Sequence, residues 1–153
     1  MTTHLTRRYS FAAAHRLHSP RLSEAENWRI YGKCNNPYGH GHNYVLEVTV
    51  SGPVDPATGM ITHLDELDRF VEREVLDTFD HKHLNEEISA FRERVPTTEN
   101  LCIEIYNRLR AFTGARLERV GLEETSLNSF AYSEESPGST QHEQADGRTA
   151  DPT

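Results

Sequence analysis

Two stretches of the chain alternate apolar and polar side chains with a period of two, and both alternations run into histidine on the apolar side. In the first, Leu5, Tyr9, Phe11, Ala13 and His15 share one parity, while Thr6, Arg8 and Ser10 take the other. In the second, Tyr44, Leu46, Val48 and Val50 share a parity, and counting back by two gives His42 and His40. Asn43, Glu47, Thr49 and Ser51 face the opposite way. Successive side chains of a strand point to opposite faces, so this pattern requires two half-buried strands, each ending in imidazole on its buried face.

The segment between them, Arg16 to Gly39, is polar, rich in turn residues and contains Cys34. A connection of that length is uncommon unless it has a functional role. After the turn Pro53-Val-Asp-Pro-Ala-Thr-Gly59, Leu64, Leu67, Phe70, Val71 and Val75 recur at helical spacing, with Thr62 and Asp65 placed as a capping box. A second helix is expected after Pro96, with Thr97 or Thr98 as cap, Leu101, Cys102, Ile105, Tyr106, Leu109 and Phe112 on one stripe, and Gly114 as its end. Leu117 to Glu124 and Phe130 to Tyr132 read as two further strands around a Ser126–Ser129 turn. The order ββααββ predicts an α+β domain over residues 1–133. The last 20 residues, 134–153, carry five acidic groups and one arginine, half of the net charge of -8. They include no large apolar side chain, so a disordered acidic tail is expected there.

Composition narrows the function classes. No run approaches the roughly 18 apolar residues of a membrane helix, and arginines stand where an export signal needs its apolar stretch, so a soluble, cytoplasmic protein is expected. Two cysteines, Cys34 and Cys102, are too few for a disulfide framework and are expected to be reduced. None of the 16 Lys and Arg form a run, which argues against a nucleic-acid partner.

Several residues could carry chemistry. His40 and His42 present both rings on one face, and His15 ends the neighbouring strand's face. Three histidines suit Zn²⁺ and leave a fourth position for water or substrate; the alternative is a hydrogen-bonded rim of the core. Cys34, six residues before His40, is the better reactive thiol, with an incidental loop cysteine or a fourth zinc ligand as alternatives, whereas Cys102 falls inside a core stripe. Asp80 and His81 form either a proton-shuttling pair or a solvated helix end. Glu124 shares the parity of Val120 and Leu122, which turns a carboxylate to the apolar face while Glu123 points outward. It reads as a structural ion pair or as an acceptor for a ligand presenting two adjacent N–H groups. Thr97 and Thr98 cap the second helix or offer its free N–H groups to a ligand.

Ser10-Phe-Ala-Ala-Ala-His15-Arg-Leu, Gly32-Lys-Cys34-Asn-Asn-Pro-Tyr-Gly-His40-Gly-His42-Asn-Tyr44, Asp55-Pro-Ala-Thr-Gly-Met60, Asp80-His81-Lys82 and Thr97-Thr-Glu-Asn100 together resemble the 6-pyruvoyl-tetrahydropterin synthase family over about residues 9 to 133. The resemblance implies a tunnelling fold: a four-stranded antiparallel sheet with two helices on one face, three sheets closing a barrel, and two trimers stacking into a homohexamer. It also implies zinc on His15, His40 and His42, a proton-abstracting Cys34, proton relay by Asp80 and His81, and Glu124 as the pterin anchor, with Thr97 and Thr98 in the substrate site. The implied reaction converts 7,8-dihydroneopterin triphosphate to 6-pyruvoyl-tetrahydropterin, with loss of triphosphate and internal redox tautomerisation of the side chain. A related branch forms 6-carboxy-tetrahydropterin for deazapurine synthesis from the same substrate, and a third replaces the cysteine by glutamate. Cys34 argues against the third, and the Cys34-Asn-Asn-Pro stretch resembles the pyruvoyl-forming branch. A zinc-binding protein without turnover is the rival of a different class, and the joint presence of Cys34, Asp80, His81 and Glu124 counts against it.

Overall fold

The two alternating stretches form one uninterrupted antiparallel ladder. Strand β1 (Thr3–His15) pairs with β2 (His40–Gly52) from Thr3 opposite Gly52 to His15 opposite His40. On the helix-covered face Phe11 stacks on Tyr44, with ring centroids 5.1 Å apart. The computed structural model describes residues 1–135. Of the expected tail only Glu134 and Glu135 fall inside that range, and Glu134 accepts a hydrogen bond from the Arg110 guanidinium at 2.8 Å. The remainder of that expectation lies outside the described residues.

The sheet extends beyond this ladder on both sides. Strand β4 (Arg116–Thr125) pairs antiparallel with β2, and β5 (Asn128–Tyr132) closes a hairpin on β4. On the other side β3 (Lys82–His83) pairs with β1 in parallel, giving the order β3-β1-β2-β4-β5. The sheet is therefore five-stranded and mixed where four antiparallel strands are expected from the pattern. Two residues are too short to alternate, so β3 leaves no periodic signal.

The expected first helix runs as α2 (Leu64–Val71), a π-helical turn (Glu72–Leu76) and α3 (Asp77–Phe79), burying Leu67, Val71, Val75 and Phe79. Its N-cap is His63, without a side-chain bond, so the anticipated capping box at Thr62 does not form. Bidentate donation from Arg7 to Asp68, at 2.9 and 2.7 Å, with Tyr9 donating at 2.7 Å, ties α2 to β1. Leu84–Glu87 forms the one-turn α4, and α5 (Thr98–Leu109) is the expected second helix, ending one turn before Gly114. Leu101, Cys102, Ile105, Tyr106 and Leu109 are buried against Leu46, Val48, Val50, Val120 and Leu122. Each such Leu, Ile or Val side chain contributes about 1.5–3 kcal/mol of burial.

The long connection holds a helix that no apolar stripe announces. Helix α1 (Glu24–Tyr31) opens on a capping box in which the Ser23 hydroxyl accepts from the Glu26 N–H and Glu26 accepts from the Ser23 N–H. Its one buried residue is polar: Asn27 accepts from Ser19 N–H and donates to the carbonyls of Ser19, Leu22 and Ser23. Hydrogen bonding, rather than an apolar face, holds this segment in place.

Candidate metal centre and active site

The ladder register places His15 directly across from His40, and His42 two residues further along the same face. The three Nε2 atoms converge, 3.1 Å from His15 to His40 and 3.0 Å from His40 to His42. A tetrahedral zinc with Zn–N of 2.0–2.1 Å would separate its nitrogens by roughly 3.3 Å, so the rings stand close to a ligating arrangement. His15 is fully buried, and its Nδ1 lies 2.8 Å from the Pro96 carbonyl, just before α5. A carbonyl only accepts, so Nδ1 carries the proton and Nε2 presents a lone pair to the centre, the usual outer-shell orientation of a metal-binding histidine. Burial pushes the His15 pKa down to about 4, and burial likewise lowers that of His40. His15 thus turns a lone pair toward the other two Nε2 atoms, and three imidazole nitrogens within 4.8 Å of one another form a donor set that fits a metal. Among the described residues these three form the one cluster of His, Cys, Asp and Glu suited to hold an ion.

Gly39, with φ +73°, makes the approach to this strand end possible. A Cβ there would stand 2.8 Å from the His15 carbonyl oxygen and 3.0 Å from His83 Nε2. No larger residue fits without displacing the backbone beside the centre.

Cys34 is brought to the same end of the sheet by backbone pairing with the residues that follow His15. Its carbonyl accepts from Leu17 N–H at 2.8 Å, the Asn35 side chain donates to the Leu17 carbonyl at 2.7 Å, and Arg16 Nε donates to the Asn35 carbonyl at 3.0 Å. Asn85 clamps Arg16 from the other side, accepting from its N–H and donating to its carbonyl. Partial burial raises the Cys34 thiol pKa, and the Glu124 charge raises it further. Cys102 donates to the Val120 carbonyl, and burial pushes its thiol up to about 11, which fits the core position expected for it.

Glu124 reaches the site from β4. It follows Glu123, which the β2–β4 ladder sets across from Val45, and its Oε1 lies 3.7 Å from His42 Nε2. Its side chain is partly buried, whereas Glu123 is exposed, as the parity predicts. Thr98, at the first position of α5 and fully buried, donates its hydroxyl to Glu124 Oε2. Thr97 is the N-cap, its hydroxyl accepting from Asn100 N–H at 3.2 Å. His15, His40, His42, Cys34, Glu124 and Thr98 thus gather at one end of one face, while the Thr97 hydroxyl is engaged by its own helix.

Asp80 and His81 are placed elsewhere. Asp80 Oδ1 accepts from Ala12 N–H and His81 Nδ1, both at 2.9 Å, and His81 N–H donates to the Ala12 carbonyl at 2.6 Å. The Ala12 N–H, followed by His81, holds the Asp80 carboxyl below its ordinary pKa. His81 adopts φ 60°, uncommon for a residue with a Cβ, and its ring is 83% exposed. The ring borders a cleft of about 500 Å³ that is also lined by Ala12, Ala13, Ala14, Gly41, His42 and Asn43. No bond joins this pair to Cys34 among the described residues, and neither member is among the groups acting on its thiol. Sequence reasoning missed the Pro96 carbonyl and the clamps on Arg16. The former is a backbone group far along the chain and the latter depend on loop geometry, so neither leaves a residue-type signal.

Comparison with known proteins agrees with this geometry. The family model described as 6-pyruvoyl tetrahydropterin synthase matches residues 4–135. The 6-pyruvoyl tetrahydrobiopterin synthases of Poecilia reticulata and Homo sapiens are 46% and 43% identical over 130 and 129 residues, 84% of this chain and 88% and 89% of theirs. A protein of Archaeoglobus fulgidus, named as a candidate 6-carboxy-5,6,7,8-tetrahydropterin synthase, is 38% identical over 106 residues, 69% of this chain and 84% of its own length. The solved structure of Caenorhabditis elegans 6-pyruvoyl tetrahydropterin synthase superposes with a TM-score of 0.84 at 42% identity, covering 88% of this chain and 97% of that one. With the ladder from His4 onward, the histidine cluster and the partly buried Glu124 all falling inside the matched span, this chain belongs to the 6-pyruvoyl tetrahydropterin synthase family.

Proposed function

We propose that the chain is a zinc-dependent synthase that converts 7,8-dihydroneopterin triphosphate to 6-pyruvoyl-tetrahydropterin in tetrahydrobiopterin biosynthesis. The observation that carries this reading is the gathering, at one strand end, of a three-histidine cluster, a thiol and a partly buried carboxylate, in a chain whose relatives, matched over most of their length, bear that name. His15, His40 and His42 would hold zinc through Nε2. When bound, zinc supplies a Lewis acid that acidifies C–H bonds next to side-chain hydroxyls, and a positive charge that favours the thiolate.

The remaining steps belong to the chain itself. Glu124 accepts two N–H groups from the amino-pyrimidine edge of the pterin, oriented by the Thr98 hydroxyl. The N-terminal end of α5, where Thr97 and Thr98 lie, borders the ring. Cys34 removes a side-chain proton as the triphosphate leaves. Asp80 holds His81 through Nδ1, which leaves His81 Nε2 free to move a proton. Because no bond joins this pair to Cys34 among the described residues of one chain, we assign the relay to a thiol of a neighbouring copy, and a homohexamer built as a dimer of trimers, with sheets joined into a barrel, accommodates it. Such an assembly also covers the exposed edges of β3 and β5. The enzyme of this reading is cytoplasmic and acts on a small molecule; among the described residues no helix is long and apolar enough to cross a membrane.

Formation of 6-carboxy-tetrahydropterin is the second reading, favoured by the archaeal relative. The greater identity and coverage of the animal synthases support the pyruvoyl product. Incubating the zinc-loaded protein with 7,8-dihydroneopterin triphosphate and resolving products by mass spectrometry separates them. The pyruvoyl compound with released triphosphate is expected, the carboxy compound would establish the second reading, and absence of triphosphate release would refute both.

A further inference from the structure

Tyr44 sits at the junction of the metal cluster and the carboxylate, yet no role in the reading above falls to it. The residue is fully buried, stacked on Phe11, with its ring edge-on to His42 at 5.7 Å between centroids. Its hydroxyl oxygen is buried and has no hydrogen-bond partner. A phenol that needed only to fill core volume would be served as well by phenylalanine, without a buried polar group left unsatisfied. The Thr98 hydroxyl stands beside the phenol but outside good hydrogen-bond geometry. A phenol is protonated at neutral pH and can serve as a donor.

Thr98 uses its single hydroxyl proton on Glu124 and retains acceptor lone pairs. We propose that Tyr44 is a positioning residue for the pterin anchor, its O–H donating to Thr98 Oγ1 when a ligand draws both Glu124 oxygens toward it, so that a Tyr44–Thr98–Glu124 hydroxyl relay closes on binding. This inference rests on Glu124 being the pterin anchor. Its thermodynamic consequence is specific: a hydroxyl left unsatisfied in the free protein and satisfied in the complex adds to affinity while weakening the free fold.

The test is calorimetric titration of zinc-loaded wild type, Tyr44→Phe, Thr98→Val and the double variant with 7,8-dihydroneopterin, alongside metal analysis and melting of the ligand-free proteins. Tyr44→Phe is expected to bind about 10-fold more weakly, the worth of one hydrogen bond. It should keep its zinc and melt at the same temperature as wild type or higher. Because Tyr44 acts through Thr98, the double variant should match Thr98→Val within about twofold. Wild-type affinity in Tyr44→Phe, losses that multiply in the double variant, a lower melting temperature, or zinc loss would each overturn the proposal. Failure of wild type itself to bind the pterin would overturn the functional reading and this inference with it.

Discussion

Replacing Glu124 by glutamine separates the functional reading of this partly buried carboxylate from a structural one. Oε2 already accepts the Thr98 hydroxyl, and an amide oxygen can take over that bond. In the complex both oxygens would face pterin N–H groups, and the amide presents N–H to one of them. A charge-assisted bond is lost and a donor is left facing a donor, together about 2 to 4 kcal/mol, or roughly 30- to 1,000-fold in Kd. The ligand-free protein should lose little, with a fall in Tm of no more than about 5 °C. Zinc should remain, because the three histidines come from β1 and β2. Calorimetric titration with a pterin, with the exposed Glu123→Gln as control, reads the difference. Equal affinity for Glu124→Gln and wild type would refute the anchor, and a loss confined to Glu123→Gln would contradict the strand register.

Cys34→Ala should keep zinc and fold but lose at least about 10² in kcat, while Cys102→Ala stays active; equal rates would reassign the thiol. Since Asp80 and His81 lie apart from Cys34 within one chain, mixing inactive Cys34→Ala with inactive His81→Ala under conditions that allow subunit exchange should restore partial activity, and none would place the relay within a single chain. For the metal-free protein, the His15 pKa of about 4 lies below the unfolded value of 6.5, so the unfolded chain binds more protons between them. Stability is then fully present above pH 6.5 and falls as pH drops through that window, by about 3 kcal/mol at most; chemical denaturation showing no slope between pH 6.5 and 4 would contradict a neutral buried His15.

What was legible in the sequence was what a period of two can encode. The parity of His15, His40, His42 and Glu124 follows from side-chain alternation; the ladder bears it out for the three histidines, and the 3.7 Å approach of Glu124 Oε1 to His42 Nε2 does so for the carboxylate. Helix α1 escaped because its buried residue is Asn27, which acts through hydrogen bonds, although Ser23 and Glu26 stand at capping-box spacing. Strand β3 escaped because two residues have no period. The position of Asp80 and His81 could not be read either, since it follows from a left-handed backbone at His81 that bonds both residues to Ala12. The expected Thr62 cap failed because His63 holds the N-cap position, leaving the Thr62 hydroxyl buried and unpartnered.

The central claim is a zinc held by three Nε2 atoms with its fourth position open and Cys34 free to act as a base. X-ray absorption at the zinc edge of the loaded protein tests it most directly, since Zn–N or Zn–O distances of about 2.0–2.1 Å and Zn–S of about 2.3 Å are distinct. Three imidazole scatterers and one light atom, with no sulfur and the same spectrum in Cys34→Ala, are predicted. A sulfur shell at 2.3 Å that vanishes in Cys34→Ala would make the thiol a structural ligand and contradict the account.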